Sequence, residues 1–290
     1  MALQPDQVYA SLTSAAGSIT FGDVDEFGVD WSLDEDALDG WLGGTAPTGK
    51  REQKPRQSGA WRGDGFAQAR TVALGGRAYA PTHAALATAF DRLNAVCPVG
   101  DDATLRVFEA GRERWMSVRR SDEVISDYVM PDIGTWSLQV ESVDWRKFGR
   151  AVTDSTALPS TTGGLAVPHA VPHSINAVTV TGQVSLVNPG NEPGPVTLRI
   201  DGPCRGPVVT HVSSGTSLVF SSSLVLGAGE FLLIDMERRS VLANGQSSRG
   251  GYITSRGWSQ FDPGVNTYSF TAAAYDAAAR LTVTGTPAWS

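Results

Sequence analysis

The stretch Gly229–Thr271 most constrains the fold, because it sets short β-prone runs between turn-forming residues. Glu230–Asp235 is predicted to be a strand, and Ser240–Ala243 is predicted to return beside it. Asn244-Gly245 then favours a tight turn with positive φ. Asp262-Pro263-Gly264 predicts a second turn, with Pro and Gly placed for type II geometry. Apolar and polar residues alternate after that turn, so the pattern predicts an antiparallel sheet with one buried face.

Composition fits a turn-rich β protein. The chain has 290 residues, of which 41% are hydrophobic and 18% charged, and it contains 32 Gly and 16 Pro. The formal net charge of −7 is unevenly placed, because residues 1–150 hold 16 Lys and Arg against 22 Asp and Glu. Neither half has an excess of basic residues that would suit a phosphate backbone, so we expect no nucleic-acid ligand.

Targeting signals are not evident in the sequence. No apolar run approaches the ~20 residues that cross a bilayer, so we expect no membrane partner. The first residues have neither the basic nor the apolar region of a signal peptide. Cys97 and Cys204 lie far apart in the sequence, which fits maturation in a reducing cytoplasm without a disulfide.

One helix is predicted in the first half, over residues 83–96. Thr82 is a good N-cap, and Pro98 follows the end of the helical pattern. Apolar residues recur at helical spacing within it: Leu86, Phe90, Leu93 and Val96. The rest of the first half predicts strands, as in the clean alternation over residues 135–141.

Residues 153–175 are rich in Ser, Thr, Pro and Gly, which predicts a linker or connecting arm. We therefore expect a first domain over residues 1–152 and a second over residues 176–290. The second should contain roughly nine short strands and no helix, a count typical of a β-sandwich.

Two neighbouring segments of the first half carry opposite charge. Asp23–Asp39 holds eight acidic residues and no basic one, whereas Lys50–Arg70 is mainly basic. These charges could pair within one subunit or across a subunit interface, where they would fix register. The candidate interface residues are Asp34, Glu35, Asp36, Lys50, Arg51, Lys54 and Arg56.

The acidic segment also resembles the start of a calcium loop, with Asp23-x-Asp25 and a following Gly28. Phe27 stands where the third oxygen ligand should be, and the closing Glu is missing. An acidic surface loop is therefore the better interpretation.

No catalytic, cofactor or metal site is predicted, and we do not expect an enzyme. His169 and His173 are four residues apart, but a proline precedes each of them, so they do not share a helical face. Asp235 and Glu237 could lie on one strand face like a glycosidase pair, yet the turn that follows favours solvated carboxylates.

Aromatic residues of the second half leave two interpretations open. Tyr252, Trp258 and Phe261, with Tyr268, could form a platform on which a sugar ring stacks. Aromatic residues in strands more often lie in the core.

Five stretches carry a family resemblance, and they cover nearly the whole chain: residues 74–79 before the helix, the hairpin at 105–118, Trp136–Gly149, Leu232–Gly245 and Gly257–Asn266. In this order they resemble the distal tail protein (minor tail protein) family of long-tailed, siphovirus-type bacteriophages. Residues 23–70 have no clear counterpart in that pattern.

The resemblance implies a mainly β fold, with an N-terminal split-barrel belt domain and a C-terminal galectin-like β-sandwich. It implies a hexameric ring in the virion tail tip, made in the bacterial host cytoplasm, that joins the tail tube to the tip complex. The expected partners are further copies of the chain, the tail tube protein, the tape measure protein and the tail-tip hub protein. A carbohydrate-binding module that recognises host cell-wall sugar is the alternative function.

Overall fold

Antiparallel strands form most of the computed structural model, which describes residues 8–49, 51–162, 178–180, 182–274 and 276–290. The chain divides into two compact units, the first running to Gly149 and the second from Arg150 to Trp289. The predicted mainly β fold class is confirmed.

The first unit contains these elements: β1 (Tyr9–Ser14), β2 (Gly17–Phe21), β3 (Asp30–Leu33), β4 (Pro47–Thr48), β5 (Arg51–Gln53), β6 (Ala60–Arg62), β7 (Phe66–Ala67), β8 (Arg70–Tyr79), α1 (His83–Val96), β9 (Ala103–Glu109), β10 (Arg112–Arg120), β11 (Ile125–Met130), β12 (Ile133–Ser142) and β13 (Lys147–Phe148).

The second unit contains β14 (Val152–Ala157), β15 (Ser160–Thr162), β16 (Val178–Val180), β17 (Gln183–Asn188), β18 (Val196–Asp201), β19 (Cys204–Arg205), β20 (Val208–His211), β21 (Thr216–Phe220), β22 (Val225–Leu226), β23 (Phe231–Asp235), β24 (Ser240–Ala243), β25 (Ser247–Ser248), a 3₁₀ turn (Gly250–Tyr252), β26 (Ile253–Arg256), β27 (Gly264–Thr271), β28 (Arg280–Gly285) and β29 (Ala288–Trp289).

The main sheet of the first unit runs in the order β2-β1-β9-β10-β12-β8-β3 and is nearly closed, like a barrel. β11 pairs with β12 beside the point where β10 meets β12. Alternate residues of these strands face one core, so Leu12, Leu74, Leu105 and Leu138 are fully buried there.

The helix lies where the sequence predicts it, over His83–Val96. The Thr82 hydroxyl accepts a hydrogen bond from the Ala85 N–H at 3.2 Å, as expected of an N-cap. The four residues that recur at helical spacing are all buried. The apolar face of the helix therefore packs against one side of the core of the first unit.

Two sheets form a sandwich in the second unit, with the orders β14-β28-β18-β23-β24-β25 and β17-β27-β20-β21-β26. Their inward residues share one core that includes Leu198, Ile234, Leu218 and Phe270. The predicted turns hold positive φ at Asn244, Gly245 and Gly264, where φ is 49°, 71° and 94°.

The segment predicted as a connecting arm, residues 153–175, begins inside a strand. β14 pairs with β28 from Val152 to Ala157, because this run contains neither Pro nor Gly to interrupt a ladder. β15 pairs with β16 across the rest of the segment. Residues 163–175 lie outside the described residues, as do His169 and His173.

Candidate interaction surfaces

The predicted acidic residues Asp34, Glu35 and Asp36 form an exposed turn that is tied to the edge of β8. The Asp34 N–H donates to the Gly75 carbonyl and the Leu38 N–H donates to the Ala73 carbonyl. Gly40 ends the turn with φ of +80°, and a Cβ there would clash with the Thr71 carbonyl. Only glycine fits this position without strain.

Two buried cations hold the segment that follows the turn, and we call Arg70 and Lys147 the carbonyl anchor. Each is only 2% exposed. Arg70 Nη1 donates to the carbonyls of Gly40 and Gly43 at 2.7 and 2.6 Å. Lys147 Nζ donates to the Trp41 carbonyl at 2.9 Å. The anchor therefore fixes the backbone of residues 40–43 through carbonyl oxygens rather than carboxylates.

Burial makes the charged form of Lys147 costly. Loss of hydration, followed by the nearby charges of Arg70 and Arg114, lowers the pKa of Lys147 to about 8, and Glu109 opposes this shift. Burial also lowers the pKa of Arg70. The sequence places Arg70 at the end of a basic segment, but its side chain lies inside the unit and is not free to meet a neighbouring subunit.

Beside the acidic turn lies a depression of about 360 Å³, which we call the acidic groove. Its apolar lining includes Leu33, Leu38 and Leu42, and the Leu42 side chain is 70% exposed. Asp34 and Glu35 supply acidic groups to the same groove. Asp36 faces an adjoining depression of about 550 Å³. The surface is therefore an apolar floor with an acidic rim.

Residues 46–69 form a hairpin, which we call the arm. β4 pairs with β7, and β5 pairs with β6 nearer the tip. None of the arm residues whose burial is described is buried. Lys54 Nζ lies 4.9 Å from the centroid of the Trp61 ring, and Arg56 is exposed near the tip. Lys50 and the Arg51 side chain lie outside the described part of the structure.

The candidate interface charges that the structure describes are Asp34, Glu35, Asp36, Lys54 and Arg56. Among the described side chains, no ion pair joins Asp34, Glu35 or Asp36 to Lys54 or Arg56. Their pairing across a subunit interface remains a prediction.

Asp25 has a structural role that the sequence does not reveal. Its carboxylate accepts hydrogen bonds from the Val29 N–H and from Trp31 Nε1, and it pairs with Arg92 at 2.7 Å. Burial favours the protonated form, but these hydrogen bonds and Arg92 hold the pKa of Asp25 below its ordinary value. The Arg92 guanidinium also lies over the Phe27 ring, 4.0 Å from its centroid, and closes this cluster.

β11 exposes an unusual number of apolar side chains for an edge strand. Ile125, Tyr128, Val129 and Met130 are each at least 50% exposed. Among the described strands β11 pairs with β12 alone, so its other edge offers free backbone N–H and C=O groups.

The predicted aromatic platform of the second unit does not form as a set. Phe261 is fully buried, which corrects its assignment to a ligand surface, and Tyr268 is buried beside His211. At these positions, an aromatic ring is more stable buried in the sandwich core than exposed to solvent. Trp258 is partly exposed and lines a groove of about 380 Å³, whereas Tyr252 does not line that groove.

The remaining candidate residues have ordinary environments. The Asp235 carboxylate accepts the Arg238 N–H at 2.8 Å and caps the turn after β23. Cys97 and Cys204 are free and buried, one in each unit, and burial raises the pKa of both thiols. Within the described ranges, no group of three His, Cys, Asp or Glu side chains is placed to hold a metal. No described helix is long and apolar enough to span a membrane.

One protein family is similar to part of the second unit. The family described as "Siphovirus-type tail component, C-terminal domain" matches residues 190–289. The predicted resemblance to distal tail proteins is confirmed, and so is the prediction that the protein is part of a virion tail.

Solved structures extend the fold comparison to the whole chain. The SPP1 Dit (gp 19.1) protein, described as a paradigm of the hub adsorption apparatus in phages that infect Gram-positive bacteria, has a TM-score of 0.65 and 12% identity over 97% of this chain and 99% of that one. A chain of the phage p2 baseplate, in its activated conformation with Sr, has a TM-score of 0.50 and 10% identity over 96% and 97%. No curated protein sequence is significantly similar to this chain.

Proposed function

We propose that the protein is a structural component of the tail tip, and that its first unit assembles identical copies into a closed ring. The number six and the role of joining the tail tube to the tip complex follow from the family resemblance. On the same basis, the tail tube protein, the tape measure protein and the tail-tip hub protein are the neighbours of the ring.

The exposed edge strand β11 is the observation that supports ring assembly best. Val129 and Met130 are exposed by 59% and 57%, although edge strands of monomeric proteins usually carry charges that prevent pairing. A strand of another copy would satisfy its backbone groups and remove this apolar surface from water.

A ring also needs two unlike patches on each copy. In a head-to-tail contact, one patch of each copy meets a different patch of the next copy around the rotation axis. The outer edge of β2 does not supply the second patch, because the Gly22 N–H, directly after β2, donates to the Trp31 carbonyl of β3 at 2.6 Å. The exposed edge of β11 is one patch, and the exposed hairpin of residues 46–69 is an unlike surface elsewhere on the same unit.

The mass of two variants of the full chain tests this proposal. Ile125→Lys with Val129→Lys places two charges on β11, and we expect light scattering to show loss of the ring. Val187→Lys with Val265→Lys is the matched control, because these residues face each other on a strand pair of the second unit and are 56% and 63% exposed. A ring that survives the β11 variant would show that this strand is not an interface.

A second candidate function is binding of a cell-wall saccharide in the groove beside Trp258. Gln260 and Asp262 line the same groove, so a partly exposed indole stands beside two hydrogen-bonding residues. Saccharide sites combine these two kinds of contact.

An array of cell-wall saccharides, probed with the full chain and with Trp258→Ala, tests this second function. We expect signal from the natural chain on at least one saccharide and loss of that signal in the variant. Equal signal from both chains would exclude this groove as the site.

A further inference from the structure

The arm is the part of the first unit that most needs a partner. An isolated two-stranded hairpin is at best marginally stable in water, and all arm residues of described burial are at least partly exposed. Trp61 and Phe66 are 61% and 69% exposed, so large apolar side chains remain in water. Aromatic residues are typical anchors of protein interfaces.

The chemistry of the arm limits its partner to an acidic surface. Residues 46–69 contain five Lys and Arg and two Asp and Glu, which gives a formal charge of +3. Lys54 lies over the Trp61 ring, so a cation and an aromatic face are presented together at the distal part of the arm. A complementary site would have an apolar floor and acidic groups around it.

The acidic groove of the same unit has this composition. Asp34 and Glu35 line it beside Leu38 and Leu42, and its volume is about 360 Å³. Glu109 also lines the groove, but its carboxylate pairs with Arg114 at 2.9 Å. A cavity of ~150 Å³ already holds benzene, so the groove has room for an indole ring. The exposed Leu42 side chain gives that ring an apolar surface to contact.

The groove is also held in place before any partner arrives. Arg70 and Lys147 donate to the carbonyls of Gly40, Trp41 and Gly43, which include the lining residue Trp41 and flank the lining residue Leu42. A preformed site loses little conformational entropy on binding.

Geometry places the occupant of the groove on a different copy. The arm starts at residue 46, directly after the groove residues 41 and 42, so its base adjoins its own groove. Half of the 24-residue arm extends by up to about 40 Å at roughly 3.3 Å per residue. Because no arm residue of described burial is buried, its tip does not fold back onto its own groove.

We propose that the arm of one copy inserts its distal part, with Lys54, Arg56 and Trp61, into the acidic groove of the next copy. This proposal rests on the ring described above and names the segment that links its copies. The two patches are unlike and lie on one chain, so repeating the contact produces a head-to-tail ring. Charge attraction fixes the register of the contact.

Cross-linking of co-expressed variants tests this contact directly. One chain carries Ser58→Cys near the arm tip, and the other, with a mass tag, carries Glu35→Cys in the groove. Cys97 and Cys204 are buried and serve as a common background. A short bis-maleimide reagent is expected to link one tagged chain to one untagged chain in assembled rings. Each single variant alone should give no such dimer.

Two results would overturn the proposal in distinguishable ways. Rings without the mixed cross-link would show that the arm docks elsewhere, for example on another tail protein, while ring assembly itself stands. A chain that never assembles would refute both the ring and the arm contact. Both single variants must first show the ring mass by light scattering.

A charge exchange gives an independent readout. Lys54→Glu with Arg56→Glu should raise the concentration at half assembly by about tenfold, from two weakened ion pairs per interface. Adding Asp34→Lys with Glu35→Lys should recover most of that loss. If the added substitutions raised the concentration at half assembly further, the pairing of the arm with the groove would be contradicted. Arg256→Glu in the second unit controls for added negative charge.

Discussion

The buried amine of Lys147 makes the stability of the first unit depend on pH in an unusual direction. Its pKa is about 8 in the folded chain and 10.5 in the reference state, so the unfolded chain binds more protons between these values. The free energy of unfolding should therefore rise as pH increases from about 8 to 10.5, and the penalty is fully present below pH 8. The difference in pKa corresponds to about 3 kcal/mol.

The variant Lys147→Met isolates the pH-dependent contribution of Lys147, because a methionine side chain is similar in length to lysine and has no charge. It also removes the hydrogen bond to the Trp41 carbonyl, which adds an offset that does not vary with pH. We expect the natural chain to gain up to about 3 kcal/mol relative to the variant between pH 8 and 10.5. Comparing the two chains at each pH cancels the opposite trends of Cys204 and Tyr268, whose pKa values burial raises to about 11 and 12.

Urea unfolding followed by tryptophan fluorescence measures this difference, because Trp31, Trp41 and Trp136 lie in the core of the first unit. Lys54→Met makes the same substitution on the arm and controls for loss of an amine. The natural chain and Lys147→Met could instead differ by the same free energy of unfolding at pH 7 and pH 10.5. That result would show that the Lys147 amine is not desolvated in the folded chain.

Three more measurements test other parts of the structure. Gly40→Ala should lower the free energy of unfolding by at least ~2 kcal/mol in a urea titration, because positive φ and the close carbonyl both oppose a side chain, whereas Gly43→Ala should have little effect. Asp235→Asn with Glu237→Gln should leave phage titre and assembly nearly unchanged, since surface substitutions usually cost within ~0.5 kcal/mol; a large loss of titre with intact particles would restore a binding or catalytic part for this turn. Raising salt toward 1 M should shift light scattering toward smaller species, because screening shortens to ~3 Å, and a ring indifferent to salt would show that packing alone closes it.

Local signals made the helix and the second-unit turns predictable. The helix has an N-cap, an apolar period and a following proline, and each acts within a few residues. Asn244-Gly245 and Gly264 have the positive φ that their residue types favour. These features depend on neighbouring residues alone, so the sequence pattern was sufficient.

Contacts between distant residues were not predictable from the pattern. Asp25 and Arg92 are 67 positions apart, and Lys147 reaches a carbonyl 106 positions away. Lysine is rarely fully buried, so composition gave no reason to place Lys147 inside. The same limit applies to Phe261, because core packing and a ligand platform use the same aromatic residue types.

The charge pattern of the sequence predicted only part of the structure of the acidic turn and the arm. The change of sign between residues 23–39 and 50–70 indicated two complementary segments, but not that one is a turn and the other a projecting hairpin. Arg70 belongs to the basic run in the sequence and to the core in the structure. Burial, rather than charge, therefore decides which residues of the run are available to a neighbour.

Native mass spectrometry of the full chain at low ionic strength measures whether identical copies close into a ring. We expect a closed assembly of about six times the 30.6 kDa chain, with no continuous series of larger species. A mass equal to one chain at every concentration would contradict assembly through the first unit.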